Sequence, residues 1–502
     1  MGSITETRSE AYLYKHAHSN DSYLTVEAGS GLYLKLSDGR EILDATGGAA
    51  VSAIGHGNKR VQKAIVAQLE QVEYCYPGFF KTACAQQLAD HLVKSTNGKM
   101  VRAAFLGSGM KLLSKGARYI DISNRTVGSE AMEAAMKLAR QYFLELSAET
   151  PRYRFIAREG SWHGATIGTL AIGDFKARKW PFEALLSDNI SRVSACNPYR
   201  GMKTGETSTD YISRLAQELE DEFQRVGPDT VCAFIAEPMV GTTLGCVTAL
   251  PGYFQAIRDV CDRHGALLIF DEVMCGMGRT GTLHAWEQEG VVPDIQAIGK
   301  ALGAGYAPIS ALLVNERVIA GLKQGGGDFS HGQTYQSYPA SCAAALEVQK
   351  IVEEEDLLAN VRRMGHYLGS LLHDRLDSHP NVGNIRGRGL FWAIEFVADK
   401  ISKTPLDSRL GVAKRLSSTG LKEGYDISLF SASGSADGWH GDHVLLAPPY
   451  TISANDVEEI VKRVCRVIET IFDDLGGKSK IINGYGKANG CDSVEVVNGV
   501  GH

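Results

Sequence analysis

The chain has 502 residues, 44% apolar and 22% charged. That is the range of ordinary globular proteins, at a length that favours two or three packed units over a single core. Its 52 Lys and Arg against 58 Asp and Glu give a net charge of −6, which argues against a basic nucleic-acid footprint or a polybasic membrane anchor. No uninterrupted apolar run reaches the roughly 18 residues of a spanning helix. The stretch Met1 to Asn20, with Glu6 and Glu10 and no apolar core, is expected to be neither a secretory signal nor a mitochondrial presequence.

In chain order, Leu32, Leu34 and Leu36 alternate, Asp38-Gly39 turns, and Ile42 and Leu43 resume, so short strands joined by a turn are expected over 31–48. Helical spacing follows over Arg60 to Val72, Cys84 to Val93 and Met132 to Leu146, with Val61, Ile65 and Leu69 sharing one face of the first. A strand-like run, Tyr153 to Ala157, leads into Ser161-Trp162-His163-Gly164. Val231 to Ala236 and Ala266 to Phe270 are continuous apolar runs on either side of a helical Tyr253 to His264. Such runs suit strands of a parallel sheet covered on both faces. A long helix is expected over Ala340 to Glu355, followed by helix and strand segments of a smaller unit, and the Gly- and Asn-rich 476–502 reads as a tail.

Ligands of open parallel sheets bind beyond the strand C-termini, so charged residues that end apolar runs stand out. Asp271 ends one such run, and Lys300 follows Ile298-Gly299 and precedes Ala301-Leu302-Gly303-Ala304-Gly305. Alone, the aspartate reads as a turn or capping acid and the lysine as a surface cation. Together, in so small-residue a setting, they suggest a pyridoxal phosphate site. The amine would form a Schiff base, and the carboxylate would keep the pyridine nitrogen protonated.

The surrounding text resembles the class III (omega-type) aminotransferases of pyridoxal phosphate fold type I. The matching pieces are Glu237-Pro238, Leu267 to Val273, Gly276-Met277-Gly278-Arg279-Thr280-Gly281, Pro293-Asp294-Ile295 and Gly299-Lys300, with the likeness running from about Gly31 to about Val464. The resemblance implies an α/β fold: a large domain with a mainly parallel seven-stranded sheet over 76–335 and a smaller α+β domain drawn from 1–75 and 336–475. It implies Lys300 as the Schiff-base lysine, Asp271 as partner of the ring nitrogen, Val273 and Trp162 on the two ring faces, and His163 and Glu237 beside the cofactor. Thr334, in Gly332-Gln333-Thr334-Tyr335, would reach the neighbouring subunit's cofactor phosphate in a homodimer. Arg386, in Arg386-Gly387-Arg388-Gly389-Leu390, would grip a substrate carboxylate together with contacts from Trp162. Gly276 to Gly281 formally fits G-x-G-x-x-G, but no helical pattern opens at its last glycine, so a turn beside the cofactor is expected instead of a dinucleotide fingerprint.

The phosphate-binding loop departs from the family pattern. Gly107-Ser108-Gly109 begins it, yet Ser129-Glu130-Ala131 continues it only after an intrusion, Met110 to Gly128. Excision would restore a Ser-Gly-Ser-Glu run opening a helix, where backbone N–H groups and the helix dipole hold phosphate. The segment reads as a retained intron or as a genuine surface insertion, and the sequence leaves both open. In either case Ser108, Gly109, Gly128 and Ser129 are the expected phosphate contacts.

His163, His264 and His284 show no metal-ligand spacing, and the ten cysteines include no C-x-x-C pair. Neither a metal site nor a disulfide framework is expected, and reduced thiols suit a cytoplasmic enzyme. The activity implied is transfer of an amino group from an amine or amino acid to a keto acid or aldehyde, both small molecules, by a ping-pong mechanism. The alternatives are a pyridoxal phosphate mutase, racemase or decarboxylase on the same fold, or a member silenced by the interrupted loop.

Overall fold

The computed structural model describes residues 24–107 and 127–476. Ser108, Gly109, the interruption up to residue 126 and the expected tail lie outside them.

Seven strands form the central sheet: β1 (Arg102–Leu106), β2 (Arg154–Arg158), β3 (Ile190–Val193), β4 (Val231–Ala236), β5 (Leu267–Asp271), β6 (Ile295–Ile298) and β7 (Ser310–Val314). They lie in the order β1-β7-β6-β5-β4-β2-β3. Only β7 runs antiparallel to its neighbours β1 and β6; the remaining pairings are parallel. Every residue of β4, β5 and β6 is buried, and the two-residue period of a strand divides them between two cores. Cys232, Ile235, Leu267 and Ile269 pack with Ala131, Ala135 and Leu138 of the helix Val127–Leu146. Phe234, Leu268 and Phe270 face Leu215, Leu219 and Phe223 of Ser208–Val226 and Phe254, Ile257 and Val260 of Tyr253–Arg263. Thr207 opens the first of these two helices with a capping box completed by Asp210.

The apolar runs therefore fall where the sequence placed them, with ends shifted by a residue or so. The largest change is at Val127–Leu146, which begins five residues before the first apolar position, Met132. Its opening turn carries Gly128 and Ser129, which face the strand ends and the Gly164 turn and leave no apolar mark in the sequence.

Both ends of the described chain build the smaller α+β part. Strands Val26–Ser30, Tyr33–Leu36 and Glu41–Asp44 form a sheet whose last member is Ile427–Ser428, paired in parallel to Leu43 and Asp44. A second sheet contains Val382–Arg388, Phe391–Asp399, Asp442–Leu446 and Phe430–Ser433. Helices Leu357–Leu376 and Ala454–Gly476 pack together beside it.

The glycine-rich segment after β5 is a turn, as expected, and it fastens the two parts together. Gly278 and Gly281 take φ of +96° and +103°, values open to glycine. Between them Arg279 is fully buried: its Nη1 donates to the carbonyls of Leu390 (3.1 Å) and Pro448 (2.6 Å), and its guanidinium lies 4.7 Å from the centre of the Tyr450 ring.

Helix Leu357–Leu376 meets the neighbouring turn with no space to spare. A Cβ on Gly365 would stand 2.1 Å from the carbonyl oxygen of Gly389. Gly365→Ala should therefore destabilise the protein by about 1–3 kcal/mol, the usual cost of overpacking, read as a lower denaturant midpoint. An unchanged midpoint would show that this contact is not made.

Candidate active site

The C-terminal ends of β2, β4, β5 and β6 each deliver one chemical group to a common place. Lys300 follows β6 and opens the short 3-10 turn Lys300–Leu302 with φ +43°, left-handed for a residue with a Cβ. That conformation costs about 1–3 kcal/mol, and the turn is held by the N–H groups of Gly303 and Ala304 on the Lys300 carbonyl (3.2 and 2.9 Å). Burial pulls its amine below the ordinary lysine range, while the charges of Asp271 and Glu237 partly oppose the shift. Lys300 is half-buried, between buried strand β6 and the buried Ala301 and Leu302, and is not a surface cation.

Asp271 is the last residue of β5. Its Oδ2 stands 2.8 Å from His163 Nδ1, and its Oδ1 accepts the Val273 N–H at 3.1 Å. The other nitrogen of that ring, His163 Nε2, is buried with no hydrogen-bond partner among the described residues. Glu237 directly follows β4. Its two oxygens accept the N–H groups of Trp162 and Gly241, each at 3.1 Å. Burial raises the Glu237 carboxyl above its usual range; His163 opposes this and the charge of Asp271 adds to it.

Trp162 lies in the turn after β2, its indole edge-on to Phe175 at 5.8 Å, with the Arg178 guanidinium 5.0 Å from the ring centre. Gly164 has φ +140°, and a Cβ there would fall 2.4 Å from Ser129 Oγ. Ser129 Oγ accepts the Ala165 N–H at 2.9 Å. A Cβ on Gly128 would fall 2.6 Å from Val273 Cγ1. The first turn of Val127–Leu146 is therefore pressed against both Val273, two residues past the β5 carboxylate, and the Trp162 turn.

Comparison with known proteins decides the family. The family model described as aminotransferase class III matches residues 14–468. The chain belongs to the class III aminotransferases. An aminotransferase of Gibberella zeae is 47% identical over 92% of this chain and 87% of its own length. An uncharacterised aminotransferase of Schizosaccharomyces pombe is 44% identical over 93% and 96%. Among solved structures, an amine transaminase from an uncultivated Pseudomonas species in its pyridoxal phosphate-bound form superposes with a TM-score of 0.81 at 29% identity, covering 94% of this chain and 99% of that one. The mutase, racemase and decarboxylase reading is not favoured by this company.

Class III aminotransferases are pyridoxal phosphate enzymes, and the residues here fit that group. It needs an amine, an acid for its ring nitrogen, two flat apolar faces and phosphate donors. Lys300, Asp271, Val273 with Trp162, and Gly128 with Ser129 at a helix N-terminus are of the types that could supply them. The glycines at 128 and 164 stand where any Cβ would close the gap between these elements. Thr334 is exposed on this single chain, next to Gln333, whose Oε1 accepts the Gly107 N–H at 3.2 Å.

Arg386 is the exception among the expected site residues. Its Nε donates to the Gly245 carbonyl (2.6 Å) and its Nη1 to Asn384 Oδ1 (2.8 Å). Its Nη2 bonds the Leu244 carbonyl and Glu395 Oε2, the latter at 2.6 Å. In this structure the guanidinium edges that would grip a substrate carboxylate are engaged by the protein itself.

Two pairings at the strand ends leave no mark in the sequence. His163, expected beside the cofactor, pairs with Asp271. Glu272 is fully buried and accepts from the N–H groups of Ala285 (2.7 Å) and Trp286 (2.8 Å) and from Gln296 Nε2 (2.8 Å). Burial pushes its carboxyl up to about 8 against the pull of those donors. Its position next to Asp271 was the only available signal.

Gly164→Ala combines a forbidding φ with overpacking of about 1–3 kcal/mol. Affinity for pyridoxal phosphate should fall roughly tenfold or more, measured by titrating apoenzyme and following cofactor absorbance. Unchanged affinity would separate the Gly164 turn from the cofactor cradle.

Proposed function

We propose that Lys300 is the residue that holds the cofactor covalently and, once released by the incoming amine, moves the proton between the substrate carbon and the cofactor C4′. Its place directly after β6, in register beside the strand that ends in Asp271, is the observation that carries this reading. When bound, pyridoxal phosphate supplies an aldehyde and an electron-accepting ring. Asp271 keeps the ring nitrogen protonated by ion pairing, and the His163 contact fixes that carboxylate's orientation. Trp162 and Val273 bound the ring faces, and Glu237 is steadied next to them by two backbone N–H groups. Gly128 and Ser129, at the start of Val127–Leu146, hold the phosphate.

The reaction is a ping-pong exchange between a small amino donor and a small keto or aldehyde acceptor. Two relatives suggest the donor class: a diaminobutyrate–2-oxoglutarate transaminase of Halomonas elongata at 32% identity and a gamma-aminobutyrate transaminase of Solanum lycopersicum at 30%. Both names contain a terminal primary amine, and we take a terminal amine as donor and a 2-oxo acid as acceptor for this enzyme.

The working unit we propose is a homodimer in which Thr334 reaches the neighbour's cofactor phosphate. Support comes from the exposure of Thr334 and of the aromatic residues Tyr335, Tyr74, Tyr76, Phe79 and Phe80, with Tyr74 and Tyr335 in edge contact at 5.9 Å. An exposed apolar patch of this kind is characteristic of an association surface. The nine cysteines among the described residues are unpaired, which supports a reducing, cytoplasmic setting.

Borohydride reduction of the cofactor-loaded enzyme should leave a pyridoxyl label on Lys300 alone, located by peptide mass mapping. A label elsewhere, or none, would overturn the assignment. Asp271→Asn should retain cofactor yet lose about 10²–10³ in kcat with a terminal amine and a 2-oxo acid, the usual cost of removing one fixed electrostatic partner. Because burial lowers the Lys300 amine, the reaction of the aminated enzyme with keto acid should rise with pH through a value below the ordinary lysine range. A limb at or above that range would show that another group moves the proton.

A further inference from the structure

Arg386 sits in the smaller part of the molecule, yet nearly everything it touches leads back to the cofactor site. Its carboxylate partner Glu395, on the facing strand Phe391–Asp399, is fully buried and also accepts Arg200 Nε at 2.7 Å. Next to Glu395 in sheet register is His443, whose Nε2 lies 2.8 Å from the Thr242 carbonyl. The carbonyls of Thr242, Leu244 and Gly245 are thus all held from this sheet, two of them by Arg386.

Those carbonyls belong to the loop Gly241–Cys246 between the short strands Met239–Val240 and Val247–Thr248. Gly245 and Cys246 take φ of +71° and +52° in succession, a backbone shape that persists only where surroundings impose it. The opposite side of the loop forms the wall of the site. Gly241 N–H donates to Glu237 Oε2 at 3.1 Å, and Thr242 Oγ1 lies 3.6 Å from the sulfur of Met274, the residue after Val273. Thr243 Oγ1 bonds the Gly160 carbonyl, and Leu244 packs on Gly160, two residues before Trp162.

We propose that Arg386 is a positioning residue of the transamination site, clamping the loop Gly241–Cys246 so that Glu237 and the Trp162 turn are held in register with Lys300. The inference rests on the transaminase reading above and assigns recognition of any substrate carboxylate to other groups. The rival is specific. Two guanidinium groups share the single carboxylate of Glu395, and a substrate carboxylate could answer the surplus charge.

The two roles separate in one experiment on the cofactor-loaded enzyme, comparing wild type with Arg386→Gln, Arg386→Lys and Glu395→Gln. A positioning role predicts that Arg386→Gln lowers kcat/KM by the same factor, roughly tenfold to a hundredfold, for a neutral amine donor and for a carboxylate-bearing one. It also predicts faster amide hydrogen exchange across 241–246, a changed circular dichroism of the cofactor band, partial recovery in Arg386→Lys, and the same pattern in Glu395→Gln, which keeps the arginine. A KM increase confined to carboxylate substrates, with exchange and dichroism unchanged, would overturn the proposal. Should wild type exchange amino groups with no donor, the transaminase reading fails, while the exchange and dichroism comparison still decides the role of Arg386.

Discussion

A half-buried lysine at the end of one strand, with buried carboxylates at the ends of the two strands next along the sheet, is the constraint around which this molecule is arranged. Each isolated charge moved into such a place costs several kcal/mol, and the arrangement is tolerable only if partners are fixed before any ligand arrives. The fixing comes from the sheet. Strands β4, β5 and β6 are apolar and buried along their whole length and end abruptly at Glu237, Asp271 and Gly299-Lys300. Their mutual register, Phe270 opposite Ala236 and Asp271 opposite Ala297, therefore sets the spacing of the charged groups. Backbone N–H groups complete the work, two on Glu237 and one on Asp271. Nothing in this design requires a long side chain to search for its partner.

A second consequence is that the smaller part of the chain is more than a cover. Two arginines, Arg279 fully buried and Arg386 partly so, cross the boundary in opposite directions. Arg279 leaves the turn after β5 and ends on carbonyls of Leu390 and Pro448. Arg386 leaves the smaller sheet and ends on carbonyls of Leu244 and Gly245. A guanidinium suits this use because it stays charged and offers five donors in a fixed plane. Backbone carbonyls, unlike side chains, cannot swing away without deforming their loop. Motion between the two parts is thereby coupled to the residues that face the cofactor.

How much of this was legible depended on whether the signal was local. Val231 to Ala236 and Leu267 to Asp271 were readable because a strand covered on both faces must be apolar throughout, and the acid that ends the run is then conspicuous. The covering helices were readable from their spacing. What escaped were pairings set by the fold. Arg386 looked like a substrate clamp because its short motif resembles one. Its true partners lie on a facing strand and on a loop more than a hundred residues earlier, and no pattern in Arg386 to Leu390 encodes them. The left-handed turn at Lys300 was equally hidden, since no glycine or asparagine stands at that position to announce a positive φ.

The interrupted phosphate loop is best judged from the half that lies downstream. Gly128 and Ser129 open Val127–Leu146 against Val273 and Gly164, in contacts so close that a single Cβ at either glycine would break them. These contacts are made by the helix with the segment just after β5 and with the turn after β2. The helix axis is also held along its length by Ala131, Ala135 and Leu138 in the core below. The direction in which its first N–H groups point is therefore fixed from beneath. Packing, and not the continuity of the motif, holds this start of the helix in place.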